Sequence, residues 1–201
     1  MLKNVGLFFG TFDPVHNGHM MIALRTLETF ERLDKIWFVV SPHNPQKNIN
    51  HITHFNNRCE MVQIACNKLN KIVGEDKFIL SKVEEKLSKS SFTSKTLKYL
   101  KKEYPDANFK IIMGEDCINN LHTWKDYKYI LKNFEVIVYP RKTDNKKRYK
   151  RKTIGFISKI NCPLFEISST NIRERVREGK KLDFLVPNKI YKYIKKKNLY
   201  I

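Results

Sequence analysis

The chain has 201 residues, which suits one large domain or two small ones and is enough for a sizeable hydrophobic core. Glycine and proline occur only seven times each, which excludes collagen-like and linker-rich disordered proteins. No apolar stretch approaches the roughly 18 residues that a membrane helix needs. The apolar run near the N-terminus is too short for a signal peptide. We therefore expect a globular cytoplasmic protein that does not associate with membranes.

The net charge is +19, from 39 basic and 20 acidic residues. Such a balance favours a polyanionic partner such as a nucleic acid. However, 30 of the 39 basic residues are lysines and the chain is rich in asparagine and isoleucine, which also fits an AT-rich coding sequence. The net positive charge per segment rises along the chain, from +1 in residues 1–50 to +9 in residues 151–201.

Short apolar runs alternate with helical patterns along the chain. In chain order, the runs predict strands over residues 5–9, 35–41, 77–80, 109–113 and 135–139, with weaker strands over 153–157 and 164–167. The spacing of apolar residues predicts helices over 18–32, 55–69, 91–103, a segment ending at 131, 170–178 and 188–197.

This alternation predicts an α/β fold, a Rossmann-like doubly wound parallel sheet with helices on both faces. No linker divides the chain, so we predict a single domain over residues 1–201 with a small helical C-terminal part from about 168. In such folds ligands bind at the carboxyl ends of the strands, and the loops there are the first place to look for chemistry.

The string GTFDPVHNGH directly follows the first predicted strand and enters the first predicted helix. Gly10 allows a ligand to approach the backbone closely. His16 and His19 lie three residues apart across the helix start, where free N–H groups and a partial positive charge attract phosphate. Their imidazoles can donate to the same phosphate oxygens. A lone HxxH pair is weak, but the ten-residue string in this context indicates an anion site.

The string ISSTNIR, residues 167–173, precedes another predicted helix. Ser169 or Thr170 is expected to cap that helix, as hydroxyl residues commonly do. Arg173 lies one turn further on, where its guanidinium can reach an anion held by the exposed N–H groups.

Together these strings resemble the nucleotidylyltransferase superfamily, which is marked by HxGH and ISSTxIR motifs. Further matches narrow the resemblance to the bacterial-type nicotinate-mononucleotide adenylyltransferases. They are SPHNPQK (41–47), Arg58 with Met61, SFTSKTLKYL (91–100), MGEDCINNLHTWKDY (113–127) and LVPNKIYKYI…LY (185–200). The resemblance implies transfer of the adenylyl group of ATP to nicotinate mononucleotide, giving nicotinate adenine dinucleotide and pyrophosphate. It also implies in-line attack without a covalent intermediate.

The resemblance assigns three catalytic residues, His16, His19 and Arg173, on the ATP phosphates. Asp116 is expected to accept from a ribose hydroxyl. The full set of further ATP-binding residues that it implies is Gly10, Thr11, Phe12, Asp116, Ser168, Ser169 and Thr170. Magnesium is expected to arrive with ATP, and no protein metal site is predicted.

The resemblance also implies a mononucleotide site. Lys47 would pair with the mononucleotide phosphate, Trp124 would stack on the pyridine ring, and the helix start at Thr93 would meet the nicotinate carboxylate. Lys125 stands where relatives often carry an aromatic residue, and its charge would favour the carboxylate. Asp13 completes the implied set.

Other sequence features carry weaker interpretations. The four cysteines form no CxxC pair, which favours reduced, mostly buried thiols. His51 and His54 repeat the three-residue spacing, but metal binding there is a weak hypothesis. The protein is expected to be a monomer or a homodimer with no specific nucleic-acid partner.

Two alternatives stay open. The first is an adenylyltransferase for another phosphate acceptor, nicotinamide mononucleotide or phosphopantetheine. The second is a basic nucleic-acid-binding protein, for which the best support is the segment 141–152 with eight basic residues and one acidic residue.

Overall fold

A computed structural model describes residues 3–42, 52–87, 92–141 and 157–201. These residues form six strands, seven α-helices and two short 3₁₀ helices. The strands are β1 (Asn4–Gly10), β2 (Lys35–Val40), β3 (Phe78–Ser81), β4 (Asn108–Gly114), β5 (Glu135–Tyr139) and β6 (Ile157–Lys159). The α-helices are α1 (Asn17–Thr29), α2 (Phe55–Val73), α3 (Thr93–Glu103), α4 (Glu115–Asn119), α5 (Tyr127–Asn133), α6 (Ser169–Arg177) and α7 (Asn188–Lys196), and the 3₁₀ helices are Val83–Lys86 and Leu121–Thr123.

The six strands form one parallel sheet in the order β3-β2-β1-β4-β5-β6. β1 therefore lies between β2 and β4. The chain first adds β2 and β3 on one side of β1 and then adds β4, β5 and β6 on the other side. A crevice opens at such a reversal beyond the carboxyl ends of the strands. This confirms the predicted doubly wound α/β fold. The assignment of all 201 residues to one domain stays a prediction.

Helices cover both faces of the sheet, which explains the apolar strand sequences. Val5 and Leu7 of β1 point into one core cluster with α3 and α5, while Phe8 points into a second cluster with α1, α2, α6 and α7. Because both sets of alternate side chains are buried, the strands read as almost continuous apolar runs rather than as alternating ones.

The predicted elements agree with the observed ones except near the C-terminal edge of the sheet. The strand predicted over residues 164–167 is wrong: that segment is irregular, and Phe165 and Ile167 pack against the core as loop side chains. Of the strand predicted over 153–157, residues 153–156 lie outside the described residues, and the strand at this edge runs Ile157–Lys159.

Candidate functional site

The loop from Gly10 to His16 leaves β1 at the carboxyl edge of the sheet and is almost entirely buried. Phe12 has a positive φ of 49°, and its ring folds back over Gly10. A Cβ on Gly10 would lie 2.7 Å from the Phe12 ring, so glycine is needed for this close approach. The ring then contacts Phe8, Phe38 and His19. The loop is thus anchored to the core and not left to solvent.

His16 and His19 cap the start of α1 reciprocally. The His19 backbone N–H donates to His16 Nδ1 at 3.4 Å, and the His16 backbone N–H donates to His19 Nδ1 at 3.3 Å. The two rings stack with centroids 3.7 Å apart. Since each Nδ1 accepts, each neutral ring carries its proton on Nε2. The sequence pattern therefore builds a pair of imidazole Nε2–H donors at the helix start.

His16 is only 5% exposed and is held neutral. Burial, together with the nearby positive charge of Arg141, lowers the pKa of His16 from 6.5 to about 3. At neutral pH it is a hydrogen-bond donor and not a cation. The positive charge of the site must come from other groups.

The start of α6 is docked onto the same loop. Ser169 Oγ donates to the Pro14 carbonyl at 2.9 Å, and Arg173 donates to the Asp13 carbonyl at 2.8 Å. Arg173 also reaches the Thr170 hydroxyl at 3.3 Å. Two motifs about 150 positions apart in the chain are thus brought together.

The residue that caps α6 differs from the expectation. Ser168, and not Ser169 or Thr170, is the N-cap, because its hydroxyl accepts from the Asn171 N–H at 3.1 Å. Ser169 is engaged with the Pro14 carbonyl, and Thr170 is exposed. Three consecutive hydroxyl residues look equivalent in sequence, and only the docking partner distinguishes them.

Asp116 lies in the first turn of α4, immediately beyond β4. Its Oδ2 lies 3.8 Å from Arg141 Nε, while Oδ1 is shielded and receives no N–H or O–H donor from the described residues. Arg141 also interacts with Tyr139 and acts on His16, so it belongs to this site and not only to the basic segment 141–152.

The residues expected to hold a pyridine ring lie close to one another. Thr93 begins α3, which no side chain among the described residues caps. The Lys125 ammonium lies 5.1 Å from the ring of Phe92, directly before that helix, and Trp124 is half-buried against the core. Lys98 of α3 pairs with Asp126 at 2.8 Å. The helix start and the Trp124–Lys125 segment are therefore neighbours.

Asp13 is almost fully buried, and its carboxylate is occupied by protein donors. Oδ1 accepts from the Tyr200 hydroxyl at 2.8 Å, and Oδ2 accepts from the Thr53 N–H at 3.2 Å. Its expected contact with the mononucleotide stays a prediction. Lys47 lies outside the described residues, and so do His51 and residues 142–152.

Arg58 was noted in the sequence only as part of the resemblance, and the structure shows what it contacts. It is 1% exposed and donates to four carbonyl oxygens, those of Thr11 (2.7 Å), Ser41 (2.8 Å), Pro42 (3.0 Å) and Thr53 (2.8 Å). The available signal was an arginine on the apolar face of α2, beside Cys59 and Met61. A charge at a core position indicates a specific set of partners.

The metal hypothesis for the HITH string gains no support from the part of the chain that is described. His54 caps α2 by accepting from the Asn56 N–H. Among residues 3–42, 52–87, 92–141 and 157–201, no group of three or more His, Cys, Asp or Glu side chains lies close enough to hold a metal. In the same residues, no helix is long and apolar enough to span a membrane.

Comparison with known proteins shows a full-length family likeness. Residues 7–175 match the model of the cytidylyltransferase-like family. A Flavobacterium johnsoniae protein curated as a probable nicotinate-nucleotide adenylyltransferase is 41% identical over 98% of this chain and 98% of its own. A Clostridium tetani protein with the same description is 35% identical over 99% and 100%. The solved Plasmodium falciparum nicotinic acid mononucleotide adenylyltransferase in complex with NaAD superposes with a TM-score of 0.81 at 25% identity, covering 98% of this chain and 97% of that one.

Proposed function

Because this chain belongs to the cytidylyltransferase-like family and, within it, to the nicotinate-nucleotide adenylyltransferases, we propose that it makes nicotinate adenine dinucleotide. The reaction transfers the adenylyl group of ATP to nicotinate mononucleotide and releases pyrophosphate. The observation that carries the assignment is the docking of α6 onto the β1 loop through Ser169 and Arg173, which puts both phosphate-binding strings at one point.

The chemistry needs alignment and charge stabilisation more than proton transfer. The second pKa of a phosphate monoester is about 6, so the attacking phosphate of the mononucleotide is already ionised at neutral pH. No general base is required. His16 suits this reaction, because its low pKa keeps it a neutral donor that cannot abstract or supply a proton there. The Nε2–H groups of His16 and His19 stabilise charge that develops on the α-phosphate oxygens.

Arg173 and the α6 start hold the β- and γ-phosphates that leave as pyrophosphate. The hydroxyls of Ser168, Ser169 and Thr170 surround the helix start, and Arg173 brings the fixed positive charge that neutral His16 does not supply. Asp116 accepts from a ribose hydroxyl of the nucleotide through Oδ2, because Oδ1 is shielded by the protein. Gly10, Thr11 and Phe12 form the wall against which the nucleotide lies.

The mononucleotide binds on the opposite side. The uncapped start of α3 at Thr93 receives the nicotinate carboxylate, with Lys125 close by, and Trp124 offers an aromatic face to the pyridine ring. A helix start beside a lysine favours an acid over an amide. Lys47 takes the mononucleotide phosphate in this scheme.

Magnesium enters as part of the substrate, MgATP. The groups near the phosphates are imidazoles, hydroxyls and arginine, whereas Mg²⁺ prefers oxygen ligands in an octahedral arrangement. ATP phosphates and water would supply those ligands, and the ion would offset negative charge on the pyrophosphate. The four cysteines are free, which supports a reducing compartment and hence a cytoplasmic location.

The assignment is tested by assaying the purified protein with MgATP and each acceptor in turn. We expect turnover with nicotinate mononucleotide, a lower kcat/KM with nicotinamide mononucleotide, and none with phosphopantetheine. His19→Ala should lower kcat/KM by about a hundredfold, the usual loss for one transition-state donor. His122→Ala, which changes an exposed histidine outside the site, should leave kcat/KM unchanged. Turnover confined to phosphopantetheine would refute the proposal.

A further inference from the structure

A buried carboxyl group lies beyond the carboxyl end of β3, an edge strand of the sheet. Glu84, in the 3₁₀ helix Val83–Lys86 that follows this strand, is 1% exposed, whereas its neighbour Glu85 is exposed. A carboxyl group enclosed in this way needs hydrogen-bond donors. One of them is the Thr96 hydroxyl, which donates to Glu84 Oε1 at 2.9 Å. The segment after β3 is thus bonded directly to the first turn of α3.

The Thr96 hydroxyl is bonded outside its own helix. A helical threonine can donate to the carbonyl four residues back, as the buried Thr26 of α1 does to Ile22 at 2.8 Å. In α3 the corresponding distance, from Thr96 Oγ1 to the Phe92 carbonyl, is 3.5 Å, and the distance to Glu84 is shorter. Both side chains of the Glu84–Thr96 bond are 1% exposed, so the bond is shielded from solvent.

The start of α3 carries groups that are assigned to the nicotinate carboxylate. Thr93 is the first residue of the helix, and the Phe92 ring directly before it lies 5.1 Å from the Lys125 ammonium and 5.6 Å from the Lys95 ammonium. The N–H groups of Lys95 and Thr96 donate to the Phe92 carbonyl at 2.9 and 3.3 Å. A shift of this first turn would therefore move the N–H groups at the helix start and the Phe92 ring together.

We propose that the Glu84–Thr96 bond positions the start of α3 for nicotinate mononucleotide, which makes Thr96 a positioning residue. This inference rests on the proposed function. The helices that carry the two phosphate-binding strings, α1 and α6, pack on the face of the sheet opposite to α3. Loss of the bond consequently affects the binding of nicotinate mononucleotide more than that of ATP.

The test is Thr96→Val, which removes the hydroxyl and keeps the shape of the side chain. We expect the KM for nicotinate mononucleotide to rise about tenfold, the order expected when a buried acceptor loses its donor. The KM for ATP should change less than twofold. Thr96→Ser keeps the hydroxyl and should stay within twofold of the wild-type value for both substrates. An unchanged KM for nicotinate mononucleotide in Thr96→Val would overturn the inference.

The matched control is Thr26→Val, which removes a buried hydroxyl from a helix on the other face of the sheet. Because the Thr26 hydroxyl is bonded within its own helix, neither KM should change by more than twofold. A tenfold rise in the KM for nicotinate mononucleotide in Thr26→Val as well would show that any buried threonine has this effect, and would contradict the inference.

Comparison of the acid and amide acceptors separates positioning from a general loss of folded protein. The start of α3 is assigned to the nicotinate carboxylate, which nicotinamide mononucleotide lacks. Thr96→Val should therefore lower the ratio of kcat/KM for the acid to kcat/KM for the amide several-fold. Parallel losses with both acceptors would indicate general destabilisation and count against the proposal.

A double-mutant cycle with Glu84→Met tests whether the effect comes from this bond. Methionine removes the acceptor and keeps a side chain of similar length. If the bond carries the effect, the double variant should raise the KM by less than the product of the single effects, because it leaves no Glu84 oxygen without the Thr96 donor. Multiplicative effects would contradict the inference. Glu85→Met, at the exposed neighbour, should leave the KM unchanged.

Amide hydrogen exchange, measured by NMR, reports on the helix start without any turnover. The Lys95 N–H belongs to the first turn of α3, and the Tyr104 N–H, which donates to the Leu100 carbonyl at 2.9 Å, closes the last turn. In Thr96→Val, exchange should accelerate at Lys95 and stay unchanged at Tyr104. Unchanged exchange at Lys95, or equal acceleration at both positions, would overturn the inference. If the wild-type protein did not turn over nicotinate mononucleotide, the proposed function would fail on its own, and exchange at Lys95 would still decide whether the bond holds the start of α3.

Discussion

At the scale of single residues, the site depends on groups whose chemistry is set by burial. His16 is neutral because its imidazole is enclosed and faces the positive charge of Arg141. The sequence predicted the identity of this residue and its place at a helix start. It could not predict the protonation state, since that depends first on how deeply the ring is buried and then on Arg141, which follows β5.

For Arg58, the sequence shows the unusual residue but not the groups that it contacts. The residue is visible as a charge among apolar neighbours, but its four acceptors are main-chain carbonyls that belong to three other segments. Backbone acceptors carry no side-chain signature, so no pattern in the sequence reveals them. The partner of Tyr200 was not predictable for a related reason, because Asp13 lies at the other end of the chain.

The low pKa of His16 predicts an acid-sensitive contribution to stability. In the unfolded chain the imidazole takes a proton below its ordinary pKa of 6.5, whereas in the folded chain it resists until about pH 3. The stabilisation is therefore complete above pH 6.5 and is lost as the pH falls towards 3.

His16→Asn keeps a side chain that caps helices and removes the titration. Between pH 6 and pH 4 the wild-type free energy of unfolding should fall more steeply than that of the variant, by about 1 kcal/mol per pH unit. Urea denaturation of both proteins across this range measures the difference. Parallel pH profiles would show that His16 titrates normally in the folded protein.

At the scale of elements, the strands were the most predictable part. β1, β2, β4 and β5 are buried on both faces, and their short apolar runs predict buried strands directly. Residues 164–167 carry a similar pattern but form no strand. Their apolar side chains fill the core from a loop, which a run of four residues cannot distinguish from a strand. Tertiary packing overrides local propensity in such short segments.

At the start of α6, capping of the helix and docking on the β1 loop are carried out by two different serines, which the sequence alone did not distinguish. Ser168 caps the helix, and Ser169 docks it on the β1 loop. Ser168→Ala should therefore lower the free energy of unfolding by about 1 kcal/mol, the usual loss of an N-cap.

Ser168→Asp should retain the cap and the stability but place a negative charge beside the ATP phosphates, which raises the KM for ATP. Urea denaturation and steady-state kinetics of both variants separate the two effects. An aspartate variant with an unchanged KM for ATP would place the phosphates elsewhere.

At the scale of the whole molecule, most of the net charge of +19 lies on residues that take no direct part in the chemistry. The groups assigned to the chemistry include few cations, and the charges that the structure places beside the β1 loop include Arg141 and Arg173. Most of the excess belongs to other lysines, which form a long-range field around a site that takes two anionic substrates.

This field predicts a salt dependence of substrate capture. Raising the ionic strength from about 0.01 M to 0.15 M shortens the Debye length from about 30 Å to about 8 Å. kcat/KM for both substrates should fall several-fold, while kcat at saturation should change less than twofold because the bound substrates are held at short range. Initial-rate measurements at fixed free Mg²⁺ provide the check. A kcat/KM independent of salt would show that the charge plays no part in capture.

The bond between Tyr200 and Asp13 also has a consequence for how the protein is made. A ribosome releases β1 early, and the sheet strands that pair with it follow in sequence order. The turn after β1 acquires its last partner only when residue 200 has left the exit tunnel. A nascent chain can thus hold the central strands of the sheet before the Asp13 carboxylate has its Tyr200 donor.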